Sequence, residues 1–229
     1  MNASESTAGI CVIIPAYRES GRIGRVVRSV RSCCPDVVVV DDGSDDATGS
    51  EAREAGATVL RQEPNMGKGA ALERGVEHAT GAGFECVITM DGDGQHAPED
   101  IYGFVAAYRE GRKPVLIGNR MANPDGMPFV RRMTNRYMSW LLSRRMGVRV
   151  PDTQCGYRLY RCDVVRGLLG GSERFAAESE VLLRLASRGV EIGSVPIRVI
   201  YSDEKSKINP FKDTVRFFRM LRRNSGNRA

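Results

Sequence analysis

The sequence predicts an α/β fold in which a mostly parallel central sheet is flanked by helices. Two observations carry this. Short β-branched runs alternate with helical patterns through the first half of the chain, and polar, glycine-rich clusters stand where those runs end. Strands buried on both faces read as continuous apolar runs, and the crossover helices that join parallel strands cover the two faces.

Residues 10–14 form one such run, short enough for a buried strand. Ile23, Val26, Val27 and Val30 follow at helical spacing until Pro35 stops the helix. Residues 37–40 are the second strand. A helical stretch ends near Gly56, and residues 57–60 read as a third strand, 69–80 as a helix and 86–90 as a fourth strand. Pro98 stands where a first helical turn would begin, with Ile101, Phe104, Val105 and Tyr108 behind it, and residues 115–117 close the series. The second half is less regular. Residues 129–146 read as a strongly basic helix, 177–187 are amphipathic, and 191–200 resemble a strand interrupted at Pro196. A last helix over 211–223 has Asn209 as N-cap and Pro210 at its first position.

Composition bounds the function classes. With 229 residues, 41% apolar and 27% charged, the chain is neither disordered nor collagen-like nor a disulfide scaffold. At this length it can bury roughly 70% of the surface of its unfolded chain. The six cysteines contain no CxxC pair, and Cys11 and Cys86 lie in short apolar runs, so all are expected to be reduced and structural. The amino terminus lacks a basic and apolar leader pattern, and no window approaches ~18 consecutive apolar residues. A soluble, cytoplasmic protein is therefore expected. The net charge of +6 is unevenly placed: residues 126–151 hold six Arg and no acid, residues 201–229 carry net +5, and the remainder is acidic.

Ligands of parallel α/β sheets bind outside the carboxyl ends of the strands. In this chain those loops are Pro15-Ala16-Tyr17-Arg18-Glu19, Asp41-Asp42-Gly43-Ser44-Asp45-Asp46, Pro64-Asn65-Met66-Gly67-Lys68-Gly69 and Asp91-Gly92-Asp93-Gly94-Gln95. A cluster so rich in carboxylate repels a bare phosphate, and a divalent cation resolves the conflict. Asp91, Asp93 and Gln95 at i, i+2 and i+4 point the same way in an extended chain, and their hard oxygen donors suit Mg2+ or Mn2+.

Other motifs fit less well. Gly92 to Ala97 matches a dinucleotide pattern, but after the fourth strand and with acids that oppose metal-free pyrophosphate. Gly67-Lys68 is no phosphate loop, because Gln62 holds the earlier glycine position and Gly69 follows the lysine. An aspartate-nucleophile phosphatase would carry its motif near the first strand, with a hydroxyl residue where Gln95 stands. The two histidines form no triad: His78 reads as structural, and His96, bordering the acidic loop, is in place to cap a helix or to touch a ligand.

In order and spacing, PAYRE, VVVVDDGSDD, PNMGKGAAL, MDGDGQH, GNR at 118–120 and DTQCGYRLY at 152–160 resemble the family 2 inverting glycosyltransferases. The chain is most similar to their polyprenyl-phosphate, dolichol-phosphate-mannose-synthase-like group, from about Ile10 to Leu221. The resemblance implies a GT-A fold: a single Rossmann-like domain over residues 10–208, with residues 1–9 a disordered amino terminus and 209–229 a basic helix and tail. It also implies a nucleotide-diphosphate sugar donor, GDP- or UDP-linked, and transfer of a hexose, mannose or glucose, to polyprenyl phosphate. By position, Pro15, Tyr17 and Glu19 would line the base and ribose pocket, and Val40 and Asp42 would close it. Asp91, Asp93 and Gln95 would hold the metal, with Gly92 giving close backbone approach. Arg120 and Lys207 would contact phosphates of donor or acceptor, and Arg131 and Asn135 would face the acceptor phosphate. Asp152 would orient the acceptor or act as base.

The charge of the lipid phosphate sets the implied mechanism. It is already an anionic nucleophile, so in-line attack on the sugar C1 needs little base catalysis, while the leaving diphosphate needs cations. Arg18 replaces the Asn usual in the first motif, and Tyr201 stands where relatives often place a phosphate-binding Arg. The carboxyl-terminal membrane helices of many members are not found in this sequence. The stripe Phe211, Val215, Phe218 and Leu221, edged by Lys212, Arg216, Arg219, Arg222 and Arg223, has the composition of an interfacial anchor. Peripheral contact with the inner face of the membrane is thus expected. A membrane protein partner is left open, and no nucleic-acid motif accompanies the arginines. The alternatives are a glycosyltransferase for a soluble or cell-envelope saccharide acceptor and a non-enzymatic basic binding module.

Overall fold

Every apolar run picked out above is a strand of one seven-stranded sheet. The computed structural model describes residues 7–170 and 177–200. Its strands are β1 Ile10–Ala16, β2 Val37–Asp41, β3 Thr58–Arg61, β4 Cys86–Thr89, β5 Val115–Asn119, β6 Arg158–Arg161 and β7 Ile192–Pro196, in the order β3-β2-β1-β4-β6-β5-β7. All neighbours are parallel except β6, which runs antiparallel between β4 and β5. Ile13 pairs with Val38 on one side and Thr89 on the other, so β1 is central and its run Ile10 to Ile14 is buried on both faces.

The helices follow the stripes. In α1 Ile23–Arg31 the predicted Ile23, Val26, Val27 and Val30 are all buried. Next come α2 Thr48–Glu54 and α3 Lys68–Gly81, then α4 Asp100–Gly111, which buries Ile101, Phe104, Val105 and Tyr108. Helix α4 starts later than Pro98, whose carbonyl accepts from Ile101 N in the turn before it. The remaining helices are α5 Phe129–Met146, the short α6 Cys162–Val165 and α7 Ala177–Ser187.

Two features differ from the expectation. Strand β6 was not predicted, because its Arg-Leu-Tyr-Arg sequence lacks an apolar run, yet Arg158 is 1% exposed. Residues 7–9 are also part of the folded unit. Thr7 is buried, and Gly9 O accepts from Glu85 N and Cys86 N beside β4. The expected helix over 211–223, Tyr201 and Lys207 lie outside the described residues. All six cysteines are buried and unpaired, and burial first of all pushes the Cys86 and Cys155 thiols up to about 12. Among the described residues no helix is long and apolar enough to cross a membrane.

Helix α3 lies so close over β1 that a Cβ on Gly75 would stand 2.5 Å from Ile13 Cγ2, whereas one on Gly81 would meet nothing within 4 Å. Gly75→Ala is expected to cost about 1–3 kcal/mol through overpacking. Gly81→Ala should instead stabilise by about 0.4–1 kcal/mol by restricting the unfolded chain. Urea denaturation of the two variants checks the opposite signs.

Candidate active site

The parallel strands β1 to β4 bring the four acidic and glycine-rich loops to one edge, and the structure divides their carboxylates by task. Asp41 Oδ1 accepts from Ser44 N (3.0 Å), and its Oδ2 meets Arg61 (3.1 Å). Asp42 is 2% exposed; it accepts from Gln62 Nε2 (2.7 Å), Met66 N (2.8 Å) and Gly67 N (2.7 Å). Asp42 therefore clamps the loop after β3. Gly43 permits this, with φ +76° and a Cβ position 3.0 Å from Asn65 N. Val40 is fully buried within β2, paired with Pro15, and presents no surface to a base.

The loop after β1 is joined to the loop after β2. Arg18, at φ 55°, donates from its backbone N to Ser44 Oγ, and its guanidinium is bidentate on Asp45 at 2.8 and 2.7 Å. Glu19 N donates to Thr48 Oγ1 at 2.8 Å, Pro15 is half-buried, and the Tyr17 ring is exposed with Arg18 5.2 Å from its centroid. The residue that departs from the family's first motif thus ties two loops of the cleft together.

Asp91 and Asp93 follow β4 in a turn. The backbone folds at Gly94, φ +76°, and Asp93 Oδ1 accepts from Gln95 N at 3.0 Å. The backbone from Asp93 to Gln95 is thus a turn and not extended chain, and the Gln95 backbone carbonyl accepts from Ile200 N. A Cβ on Gly92 would point to Ile14 and Ile23 at 3.5 Å, toward the interior. His96 does not cap a helix: its ring stacks on Tyr157 at 4.8 Å, and its Nδ1 faces Asp91 N at 3.4 Å. Burial holds the His96 pKa below its usual value although Asp91 and Asp93 pull it upward.

Two charged residues at this mouth were given no role from sequence. Lys68 Nζ lies 2.5 Å from Asp91 Oδ1 and 2.5 Å from Glu178 Oε1 of α7. Burial opposes the charge on both Lys68 and Asp91. The pairing outweighs it, raising the lysine pKa and lowering that of the carboxyl. Behind them Arg158 donates to Cys155 O (2.6 Å), Glu178 O (2.8 Å), Thr153 O (2.9 Å) and Tyr160 Oη (3.0 Å). Only an acidic start to the amphipathic 177–187 segment hinted at Glu178.

The segment 152–156 connects this cluster to the GNR sequence. Asp152, 1% exposed, accepts from Arg120 Nε (2.6 Å), Nη2 (2.8 Å) and backbone N (3.3 Å), and from Gln154 N (3.3 Å). A carboxylate so engaged holds Arg120 and is not free to take a proton from an acceptor. Gly118 lets the strands meet, since a Cβ there would be 2.8 Å from Ile197 Cδ1 and 3.0 Å from Tyr157 O.

Helix α5 borders the same segment. Ser139 Oγ accepts from Thr153 N (2.9 Å), and Ser143 Oγ accepts from Val150 N (2.9 Å). Arg131 is half-buried, and one turn on, Asn135 is buried with its amide nitrogen lacking a partner among the described residues. On the opposite side Phe129, Val130, Met133, Tyr137 and Trp140 are exposed; Tyr137 and Trp140 stack at 6.1 Å, and Arg144 lies over Trp140.

The residues present fit a divalent cation at Asp91 and Asp93. Their donors are hard oxygens, and Mg2+ typically takes one or two carboxylates and leaves the rest of its shell to phosphate and water. Among the described residues no set of three His, Cys, Asp or Glu side chains converges as a closed metal site.

This sheet order with an acidic mouth after β4 is the GT-A glycosyltransferase architecture. Glucosyl-3-phosphoglycerate synthase of Mycobacterium tuberculosis, solved with Mn2+, UDP-glucose and phosphoglyceric acid, superposes with a TM-score of 0.76 at 21% identity. The match covers 98% of this chain and 83% of that one and concerns the fold. Residues 11–169 match the model of glycosyl transferase family 2. The chain belongs to that family and is an enzyme, a hexosyltransferase. It is 30% identical over 217 residues to UDP-N-acetylglucosamine–dolichyl-phosphate N-acetylglucosaminyltransferase of Methanococcus voltae, covering 85% of this chain and 86% of that one. It is 32% identical over 205 residues to polyprenol monophosphomannose synthase of Mycolicibacterium smegmatis, covering 81% and 75%. These relatives belong to the polyprenyl-phosphate group that the motifs resembled.

The Asp152 carboxylate and the Arg120 guanidinium form a buried, bidentate ion pair. Asp152→Asn is expected to cost about 3–5 kcal/mol. In a double variant with Arg120→Met the loss should be smaller than the sum of the single losses. A double-mutant cycle in urea measures that coupling.

Proposed function

We propose that the enzyme transfers a hexose, mannose or glucose, from a GDP- or UDP-linked donor to polyprenyl phosphate, with inversion at C1, at the cytoplasmic face of a membrane. The donor lies along the edge formed by the loops after β1, β3 and β4, with Tyr17 and Glu19 at the nucleoside end. Asp91 and Asp93 would hold Mg2+ or Mn2+, which when bound would supply positive charge for the departing diphosphate. Arg120, fixed by Asp152, adds a preorganised cation, and Lys207 would add another. The acceptor phosphate oxygen attacks C1 in line while the bond from C1 to the diphosphate breaks. Because that oxygen is already anionic, no carboxylate base is needed, which accords with an Asp152 spent on positioning Arg120.

The observation that supports a lipid acceptor is the two-sidedness of α5. Its inner side carries the buried Asn135 amide, without a partner among the described residues, one turn from Arg131, and its outer side carries five exposed apolar or aromatic residues. Residues 126–151 hold six Arg and no acid. A phosphate gripped on the inner side would leave its polyprenyl chain beside a surface suited to an anionic bilayer. The carboxyl-terminal basic stripe, Phe211 to Arg223, would extend that surface.

Incubating the protein with polyprenyl phosphate and GDP- or UDP-linked hexoses, with and without Mn2+, tests the reaction by mass spectrometry of the lipid product. Asp91→Asn and Asp93→Asn are expected to lower turnover on the order of 10²–10³-fold, as loss of an electrostatic stabiliser does. Undiminished transfer by either variant rejects the metal assignment, and transfer only to a soluble sugar rejects the lipid acceptor.

Flotation with anionic liposomes tests the membrane contact. Tyr137→Ser/Trp140→Ser removes two aromatic groups worth about 1.5–3 kcal/mol each when fully buried, so binding should fall at least about tenfold. Equal flotation of the double variant removes α5 from the contact.

A further inference from the structure

Lys68 opens α3 at the mouth of the site, and the function proposed above gives it no part. Its ammonium bridges Asp91 Oδ1 and Glu178 Oε1, each at 2.5 Å. One oxygen of the metal-binding Asp91 is thus already taken by a cation that the chain itself supplies. Glu178 is steadied from behind by Arg158, whose Nη2 lies 3.6 Å from Oε2. Gly156 closes the cluster with its backbone, since a Cβ there would lie 3.1 Å from both Asp91 Oδ2 and Lys68 Nζ.

We propose that Lys68 is a resident competitor of the divalent cation at Asp91. The donor diphosphate relieves the competition by accepting the ammonium, so metal and nucleotide reinforce each other's binding through this lysine. The proposal rests on Asp91 and Asp93 being the metal carboxylates. A divalent ion and an ammonium on the same carboxylate oxygen repel each other strongly in a site partly shielded from water. The lysine has somewhere to go: its long stem is flexible and its head is a compact charge without a fixed fork. The ammonium keeps its contact with Glu178 while a phosphate oxygen replaces Asp91. Metal alone must displace the ammonium, whereas metal with diphosphate need not leave it unpaired. The coupling is reciprocal, so metal strengthens nucleotide binding by the same factor. Glu178 is in this scheme a positioning residue.

The test is Mn2+ titration of the full-length protein followed by electron paramagnetic resonance, alone and with GDP or UDP. Wild type is compared with Lys68→Met and Glu178→Gln, each shown to be folded by circular dichroism. In the wild type, nucleotide should raise Mn2+ affinity about tenfold or more, within the usual range of coupled sites. Lys68→Met should bind Mn2+ alone several-fold more tightly, and the nucleotide enhancement should shrink by a similar factor. Glu178→Gln leaves the ammonium to Asp91 alone and should weaken Mn2+ binding without nucleotide.

Loss of a nearby positive charge by itself would tighten Mn2+ binding equally with and without nucleotide. An unchanged enhancement in Lys68→Met therefore overturns the proposal, as does unchanged or weaker binding of Mn2+ alone. If Lys68→Met does not fold, Lys68→Gln is read in its place. A wild type that binds nucleotide but no Mn2+ defeats both this proposal and the metal assignment and leaves the donor reading standing. Failure to bind GDP and UDP under any condition defeats the proposed donor itself.

Discussion

A guanidinium with no water around it must find its hydrogen bonds in the protein, and Arg158 in β6 is in that position. Leaving such a group uncompensated costs several kcal/mol, so the chain around it has little freedom. Its nitrogens are met by the carbonyls of Thr153, Cys155 and Glu178 and by the Tyr160 hydroxyl. The segment 152–157 is thereby wrapped around one side chain. That wrapping sets Asp152 against Arg120 and Gly156 against Asp91, and it draws the start of α7 to the site. One buried cation thus gathers the segment before β6, the Tyr160 hydroxyl of β6 and the start of α7 beside the loop after β4.

Carboxylates organise the rest by the converse rule. Asp42 receives two backbone N–H groups from the loop after β3, and Glu73 of α3 receives three, from Gly167, Leu169 and Gly170. Loops that would otherwise leave N–H groups without partners are closed by single acids. Asp42 and Glu73 are therefore occupied with the chain's own backbone. At the mouth, Asp91 pairs with Lys68, and Asp93 closes its own turn at Gln95 N.

Much of this was legible in the residue order. Apolar runs and helical stripes located β1 to β5 and α1 to α5 to within a few residues, because both signals are local and burial is their direct cause. Strand β6 was hidden since its buried Arg158 reads as a surface residue, and its antiparallel insertion between β4 and β5 depends on pairing that no local pattern encodes. At the site, the motifs located Asp91, Asp93, Arg120 and Asp152, but not their partners. Lys68 and Glu178 meet across 110 positions of sequence, and the role of Asp152 follows only from seeing Arg120 beside it. The grouping of Gln95 with the aspartates assumed extended backbone, and the turn at Gly94 removes that assumption.

The two serines on the inner side of α5 give the helix a mechanical meaning. Ser139 and Ser143 pin it at Thr153 and Val150, on either side of Asp152, so the helix and the arginine that Asp152 grips form one stiff lever. A tilt of α5 against the sheet would strain those bonds. Whatever surface seats the outer side of α5 consequently also sets the height and angle at which Arg120 is presented.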